Sequence, residues 1–160
     1  MNKIYLLLGS NMGNSRKRLA EAILHIEKKI GDVIRQSSVY QTAAWGKRDQ
    51  ADFLNQVIVI KSNFTAEQIM QTILTIETKM GRVRNKKNDP RIIDIDILYY
   101  NKIILERNNL IIPHPAIQAR RFVLVPLNEL APLFIHPLFM KTNHRLLQEC
   151  EDTLDVKKIK

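Results

Sequence analysis

Two aspartates separated by one residue have the clearest chemical potential in this sequence. Asp94 and Asp96 lie in the segment 91–100, RIIDIDILYY, with Ile95 between them. Successive side chains of a β-strand point to opposite faces, so both carboxylates would share one face, with Cβ atoms roughly 6–7 Å apart. That separation suits two Mg²⁺ ions about 3.5–4 Å apart, completed by water and phosphate oxygens. The alternative is an amphipathic strand with one solvated face, and the spacing alone favours it.

A basic loop lies immediately upstream of the two aspartates. Residues 82–91, RVRNKKNDPR, contain five cations and a single acid. Mg²⁺ together with Arg and Lys is what a nucleoside triphosphate requires, because its charge must be neutralised from several sides. Arg82 and Arg84 alternate as strand residues do and could present forked guanidinium groups to phosphates. Lys86 and Lys87 are better explained as solvated charges, but the loop and the aspartates together favour a phosphate site.

Further candidates lie in or next to loops. His114 is held between two prolines, which suits a fixed donor to a phosphate oxygen and equally suits a hydrogen-bonded loop histidine. Trp45, Phe53 and Phe122 can stack against a flat heterocycle or fill a core. Asn55 shares the strand face of Phe53, and an amide beside an aromatic ring can pair with the polar edge of a heterocycle. These residues allow a site for an aromatic substrate without requiring one.

The composition indicates one globular domain, residues 1–160, because 45% of the residues are hydrophobic. Cys150 is the only cysteine, which excludes an internal disulfide and a Cys-based metal cluster. No apolar run approaches the roughly 18 residues of a membrane span, and the N-terminus lacks the pattern of a signal peptide. We therefore expect a cytoplasmic monomer with no membrane partner. The formal net charge of +9 fits nucleic acid, an anionic surface or a phosphorylated small molecule.

Periodicity and capping signals predict the elements that position these residues. The predicted elements are a strand at 3–9, a helix from Asn14 or Ser15 to Gly31, extended residues at 32–42, a strand at 53–61, a helix from a Thr65–Gln68 capping box to Gly81, and a strand at 91–100. The order βαββαβ is the ferredoxin-like pattern. It predicts an α+β fold in which an antiparallel sheet carries two helices on one face.

The remaining segments are predicted to elaborate this core at its C-terminal side. Asn101 and Lys102 could turn the chain so that residues 103–106, IILE, form a hairpin partner for the preceding strand. Residues 110–137 contain five prolines, which predicts mostly loops and short helices. The terminal VKKIK, residues 156–160, is predicted to be a solvated, frayed tail.

In combination, these motifs resemble those of the 6-hydroxymethyl-7,8-dihydropterin pyrophosphokinase family of the folate pathway. The family patterns GSN-x-G, Gly-Arg-x-Arg, Pro-Arg-x-x-Asp-hydrophobic-Asp, Pro-His and R-x-F-V-L-x-P-L-x-E-hydrophobic-A-P match, in the same order, residues 9–13, 81–84, 90–96, 113–114 and 120–132. A match that runs in order from about residue 4 to residue 132 is far more specific than any single motif. The resemblance implies an enzyme that transfers a pyrophosphoryl group from ATP to the hydroxymethyl oxygen of hydroxymethyldihydropterin and releases AMP.

The resemblance also implies a role for each matching residue. Asp94 and Asp96 would hold two Mg²⁺ ions that bind the triphosphate and the attacking hydroxyl, so that a dedicated base is unnecessary. Arg82 and Arg91 would complete the catalytic set by neutralising the moving phosphates. The implied ATP-binding residues are Glu77, Arg82, Arg84, Arg91, His114 and Arg120. The implied pterin-binding residues are Thr42, Ala43, Trp45, Phe53, Asn55, Asp94 and Phe122.

The chain departs from the family pattern in two loops. Asn88-Asp89-Pro90 stands where the family usually has a tryptophan and a glycine before its Pro-Arg. Thr42-Ala43-Ala44 stands where many members have Thr-Pro-Pro, so this loop is expected to be less rigid. Neither change touches a metal or phosphate residue. We therefore expect an active enzyme with altered lid closure.

Two other functions fit part of the pattern. An RNA-binding module would use a ferredoxin-like sheet and positive charge. Asp94 and Asp96 would repel its phosphate backbone, so we expect no nucleic-acid partner. A non-catalytic nucleotide-binding regulator would keep the basic loop but would not need Phe53, Asn55 and Phe122.

Overall fold

A six-stranded antiparallel sheet is the centre of the fold, and the structure, a computed structural model, describes residues 1–43, 51–83 and 91–159. The elements in chain order are β1 (Asn2–Ser10), α1 (Ser15–Lys29), β2 (Asp32–Gln36), β3 (Val39–Thr42), β4 (Phe53–Ser62), α2 (Ala66–Lys79), β5 (Asp94–Tyr100), β6 (Leu105–Arg107), β7 (Leu110–Ile112), a 3₁₀ turn (Ile117–Ala119), α3 (Arg121–Leu130), α4 (Asn143–Glu149) and β8 (Lys157–Ile159). The strand order is β5-β1-β4-β3-β8, and β2 also pairs with β4. The predicted ferredoxin-like α+β fold is confirmed.

Both faces of the sheet are buried, which explains why β1 is apolar almost throughout. Helices α1 and α2 cover one face, where Ile4, Leu6 and Leu8 of β1 join a core cluster with Leu19 and Ile73. The opposite face packs against α3 and α4 in a second cluster that includes Tyr5, Leu7, Val57, Leu98, Leu124 and Leu146. The C-terminal elaboration therefore supplies the second layer of side chains that closes the sheet.

The two long helices begin and end where their capping residues predict. Asn14 accepts a hydrogen bond from the backbone N–H of Lys17 at the start of α1. Thr65 and Gln68 form both bonds of the predicted capping box at the start of α2. Gly81 has φ +95°, the left-handed conformation that allows the chain to leave α2 and approach the sheet. In the described part of the chain, no helix is long and apolar enough to cross a membrane.

Strand β5 has the alternation that its sequence predicts. Ile93, Ile95 and Ile97 are at most 5% exposed and join the core beneath α1 and α2. Asp94 and Asp96 lie on the opposite face, next to Leu98. The strand begins at Asp94, three residues later than predicted. Its first residue is therefore also the first candidate metal ligand.

One prediction about strand pairing is wrong. Residues 103–106 do not pair with β5; β6 instead pairs with β7 in a separate two-stranded sheet. The turn at Asn101, with φ 48°, directs the chain away from the edge of β5. Residues 32–42 are extended, as predicted, and form two strands separated by Ser37 and Ser38. Both strands pair with β4.

The prediction that residues 156–160 form a frayed tail is also wrong. Residues 157–159 form β8, which pairs antiparallel with β3 through Val39–Ile159, Tyr40–Lys158 and Gln41–Lys157. A strand at the border of a sheet exposes unpaired N–H and C=O groups, and β8 satisfies those of β3. The pairing uses backbone atoms, while the lysine side chains remain exposed. The charge of this segment therefore gave no indication of its structure.

A buried histidine lies within the segment that joins α3 to α4. His136 is 1% exposed, and its Nδ1 accepts from the backbone N–H groups of Leu138 (3.2 Å) and Phe139 (3.3 Å). Its ring packs edge-on against Tyr99, with 5.7 Å between the centroids. Nε2 is buried and has no partner among the described residues. Burial lowers the pKa of His136 below its usual value, because the charged ring would lose its hydration.

We expect His136 to make the fold less stable in mild acid. The pKa of the unfolded chain, about 6.5, lies above that of the folded state. The contribution of neutral His136 to the free energy of unfolding is therefore complete above about pH 6.5 and is lost as the pH falls below it. His136→Asn keeps an acceptor for the two N–H groups but cannot titrate. Urea unfolding measured at several pH values from 7.5 to 5.5 gives the free energy of unfolding as a function of pH. This free energy should fall less with decreasing pH in the variant than in the wild type, and an equal fall would contradict the assignment.

Candidate active site

Strands β1, β4 and β5 lie side by side in the sheet and form the floor of a cavity. Gly9 of β1 pairs with Asn55 of β4 on one side and with Asp94 of β5 on the other. A Cβ atom on Gly9 would lie 2.8 Å from Asn55 Oδ1, closer than van der Waals contact permits. Glycine at this position therefore leaves room for the Asn55 side chain beside the strand.

A buried network of charges connects α2 to the start of β5. Arg82 Nη1 donates to Glu77 Oε2 and to Asp94 Oδ1, each at 2.7 Å. Arg91 Nη1 donates to Asp94 Oδ2 at 3.0 Å. Glu77 is 2% exposed, and its Oε2 also accepts from the backbone N–H of Ile95 at 2.8 Å. The carboxylate of Glu77 thus fixes Arg82 and the strand that carries the aspartates at the same time.

Arg82 is positioned by a turn and not by a strand. It follows Gly81 directly, outside the described strands, and its backbone N–H donates to the Glu77 carbonyl at 3.0 Å. The prediction that Arg82 and Arg84 alternate within a strand is wrong for Arg82. Arg84 lies outside the described residues. The short turn after α2 brings the Arg82 side chain back to the end of this helix, where its partner Glu77 lies.

Asp96 is crowded by negative charge. Burial, together with the charges of Asp94 and Glu77, raises the pKa of Asp96 to about 7, although Arg82 and Arg91 oppose the increase. No group of three or more His, Cys, Asp or Glu in the described ranges could hold a metal ion by itself. Two carboxylates on one face, short of a complete cage, match the way Mg²⁺ binds when phosphates and water supply its other ligands. The donor set of Asp94 and Asp96 therefore fits Mg²⁺.

A cavity lies above these strands, with about 790 Å³ of empty space that is partly open to solvent. Phe53 and Phe122 contribute its aromatic walls, and Asn55 Nδ2 donates to Thr42 Oγ1 at 3.4 Å between them. Ten of the predicted site residues line it together: Thr42, Ala43, Phe53, Asn55, Arg91, Asp94, Asp96, His114, Arg120 and Phe122. Trp45, like Arg84, lies outside the described residues.

A second cavity adjoins the first and opens toward α2. Gln71, Leu74 and Glu77 line it from the helix, and Ile111 and Pro115 from the opposite side. Asp96 and His114 line both cavities. The two spaces therefore meet at the second aspartate and at the histidine held between prolines.

His114 is fixed in one orientation. Its backbone N–H donates to the Leu98 carbonyl at 3.0 Å, and its Nδ1 accepts from the Ala116 N–H at 3.1 Å. An accepting Nδ1 leaves the proton on Nε2, which can then act as a donor toward the cavities. Burial and the positive charge of Arg120 lower the pKa of His114, although Asp94 opposes this. Arg120 itself lies over the Phe122 ring, 5.7 Å from its centroid.

Comparison with known proteins assigns the chain to a family. The sequence profile described as 7,8-dihydro-6-hydroxymethylpterin-pyrophosphokinase (HPPK) matches residues 5–132. The chain belongs to the HPPK family. The reaction of this family is pyrophosphoryl transfer from ATP to hydroxymethyldihydropterin in folate biosynthesis, and the chain is a pyrophosphokinase of this kind.

Relatives of the same family agree over most of the HPPK chain. The 2-amino-4-hydroxy-6-hydroxymethyldihydropteridine pyrophosphokinase of Methylorubrum extorquens is 41% identical over 82% of this chain and 84% of its own. The Bacillus subtilis enzyme of that name is 40% identical over 81% and 79%. The folic acid synthesis protein FOL1 of Dictyostelium discoideum is 37% identical, but this chain spans only 22% of its length.

Solved structures confirm the HPPK fold. Plasmodium falciparum HPPK-DHPS, crystallised with pteroate, superposes with a TM-score of 0.77 and covers 92% of this chain at 20% identity. This chain spans 42% of that protein. At this identity the likeness supports the arrangement of strands and helices and no more.

One residue that supports the candidate site was not found from the sequence. Asn11 is 4% exposed, and its backbone N–H donates to the Arg91 carbonyl at 3.0 Å. Its Oδ1 accepts from the Arg91 N–H at 2.8 Å, and its Nδ2 donates to the Ala51 carbonyl at 3.2 Å. Asn11 lies in the GSNMGN segment, residues 9–14, between β1 and α1, and no site role was predicted for it. The Asn itself was the available signal, because buried Asn side chains commonly bond to the backbone of nearby segments.

Proposed function

We propose that the first cavity binds hydroxymethyldihydropterin, that the second binds ATP, and that Asp94 and Asp96 hold two Mg²⁺ ions between them. The observation that carries this proposal is that the two cavities meet at Asp96 and His114. Pyrophosphoryl transfer needs the attacking hydroxyl and the triphosphate in line, each approaching the reacting phosphorus from its own side. Two cavities joined at a pair of carboxylates provide that arrangement.

Cations of the chain surround the place where negative charge must be neutralised. Arg82 and Arg91 are already oriented by Asp94, so they need little reorganisation to contact phosphate oxygens. His114, with its proton on Nε2, and Arg120 add donors at the junction of the cavities. In the reaction the pterin oxygen forms a bond to the β-phosphorus, the bond to the α-phosphate breaks, AMP leaves, and the hydroxyl proton is released. Bound Mg²⁺ would lower the pKa of that hydroxyl and stabilise the departing phosphate.

The assignment of the first cavity to the pterin rests on two aromatic side chains with polar groups beside them. Phe53 and Phe122 can lie against the two faces of a flat ring. Asn55 and the main chain at Thr42 and Ala43 present donors and acceptors to its edge. A nucleotide-binding regulator would have no need of the aromatic side chains in the first cavity. We also propose that residues 1–160 act as one domain, because both core clusters share the same sheet.

One assay tests this function. Purified protein is incubated with ATP, Mg²⁺ and hydroxymethyldihydropterin, and nucleotides are separated to measure AMP. We expect one AMP for each pterin diphosphate formed, little ADP, and no AMP when the pterin or Mg²⁺ is omitted. Absence of AMP from folded protein would overturn the proposal, and salt-dependent RNA binding in its place would favour a nucleic-acid module.

Gly9 provides a prediction that separates pterin binding from folding. In Gly9→Ala the new methyl group meets Asn55 Oδ1, the end of a side chain, so Asn55 should move while the strands stay paired. We expect the KM for the pterin to rise about tenfold, which corresponds to the loss of about one good hydrogen bond. The KM for ATP and the melting temperature should change little.

The matched comparison for Gly9→Ala is Asn55→Ala. If the methyl group acts through Asn55, the double variant should be no worse than the poorer of the two single variants. Additive losses in kcat/KM for the pterin would show that Gly9 acts through another contact.

A further inference from the structure

A carboxylate at the far end of α3 holds β3. Glu129 Oε1 accepts from the Tyr40 hydroxyl at 2.5 Å, and Oε1 and Oε2 both lie near the Ser38 backbone N–H, at 3.2 and 3.1 Å. Glu129 Oε2 also accepts from Ser38 Oγ at 3.3 Å. Burial and this hydrogen bond raise the pKa of the Tyr40 hydroxyl, so it remains a donor. One side chain therefore contacts both ends of the Ser38–Tyr40 segment.

The two elements that Glu129 joins form opposite walls of the pterin cavity. On β3, Tyr40 pairs with Asn55 and Thr42 pairs with Phe53, so this strand backs both residues from the neighbouring position in the sheet. On α3, Phe122 and Arg120 lie at the beginning of the helix, two turns before Glu129. Helix α3 is continuous from its first turn to Glu129, with Pro126 inside it, so a shift of its far end should also move its first turn. The carboxylate thus lies outside the cavity but connects its walls.

A second tie lies beside the first. Arg35 of β2 donates from Nη1 to the Leu130 carbonyl at 2.6 Å, at the C-terminus of α3. The C-terminal end of α3 is consequently fixed to the β2–β3 segment by two neighbouring residues, Glu129 and Leu130. The segment itself is independently fixed to β4, because Ser37 Oγ accepts from the Val57 N–H at 3.0 Å. Loss of Glu129 should therefore leave β3 in the sheet, while the end of α3 is held only by Arg35 of β2 and can move relative to β3.

We propose that Glu129 is a positioning residue that sets the width of the gap between Phe53 and Phe122, and with it the affinity for the pterin. The inference rests on the proposed function. A flat ring between two aromatic faces needs contacts of about 3.5–4.0 Å on each side, and a gap wider by 0.5–1 Å loses a quarter to a half of that attraction. Glu129 is exposed, so water can replace it and its removal leaves no buried charge. Neither Glu129 nor Tyr40 lines the cavity.

The test measures the KM for each substrate of Glu129→Ala in the AMP assay. We expect the KM for hydroxymethyldihydropterin to rise about tenfold, while the KM for ATP and kcat stay within about twofold of wild type. Glu149→Ala is the matched control, because Glu149 is a carboxylate on the neighbouring helix α4 whose partners, Lys141 and Arg145, lie away from the cavity. It should leave both KM values unchanged.

Tyr40→Phe keeps the proposal testable if Glu129→Ala does not fold. It removes only the hydroxyl that Glu129 accepts from, and it should raise the KM for the pterin in the same direction. Unchanged KM for the pterin in both variants would overturn the positioning role, as would an equal increase for both substrates with a lower melting temperature. A wild-type protein that forms no AMP would overturn the proposed function first, which is a different result from an active wild type with an unaffected variant.

Discussion

Asp96→Asn should lower kcat for AMP formation by at least about 1,000-fold. The variant keeps the volume of the side chain but removes one of two charges that the proposed Mg²⁺ ions require. A loss of this size corresponds to about 4 kcal/mol of transition-state stabilisation, within the several kcal/mol expected of a catalytic metal. The free energy of unfolding should not fall, because Asp96 is crowded by Asp94 and Glu77 and its neutralisation relieves that repulsion.

Two measurements accompany this prediction. Mg²⁺ titration of the rate should show a weaker apparent affinity in Asp96→Asn. Asp155→Asn provides the control, since Asp155 is an exposed carboxylate that pairs with Lys157 at 3.7 Å. AMP formation at the wild-type rate by Asp96→Asn would show that this residue is not part of the metal site.

Glu77→Ala should lower the free energy of unfolding by about 3–5 kcal/mol, the usual cost of removing one partner from a buried ion pair. The Arg82 side chain is 8% exposed and would lose one of its two carboxylates, and the Ile95 N–H would lose its acceptor. Since a whole domain is stable by only about 5–15 kcal/mol, much of the protein could be unfolded at 37 °C. Urea unfolding at 25 °C measures the loss.

A second glutamate of the same helix provides the control for this prediction. Glu67 of α2 pairs with Arg107 at 2.6 Å, but both side chains are about half exposed or more. Glu67→Ala should therefore cost less than about 1 kcal/mol. If Glu77→Ala costs no more than Glu67→Ala, Glu77 does not hold the network together.

The local part of the structure could be predicted because its causes lie close together in the sequence. The period of two around Ile95 determined which face Asp94 and Asp96 share, and Thr65 and Gln68 marked the start of α2 before any tertiary contact was known. The ordered motifs then placed most of the cavity-lining residues. Each of these signals is contained within a few residues.

The contacts that could not be predicted from the sequence mostly join segments that are far apart along the chain. Glu77, predicted to bind ATP, lines the second cavity, but nothing in the sequence indicated that its carboxylate also accepts from Arg82 and from the backbone of Ile95. Whether residues 103–106 paired with β5 or with β7 depended on the direction of one turn at Asn101. The pairing of β8 with β3 uses backbone groups, which every sequence has, so the lysines at 157 and 158 carried no information about it.

The position of β5 at the edge of the sheet has a further consequence. An unpaired edge strand can associate with the edge of another molecule and begin aggregation. Along β5, the Ile95 N–H is occupied by the Glu77 carboxylate and the Leu98 carbonyl by the His114 N–H. The contacts that deliver these two residues to the candidate active site are therefore also contacts that protect the edge. In this protein, variants that disturb the site from this side should become less soluble as they become less active.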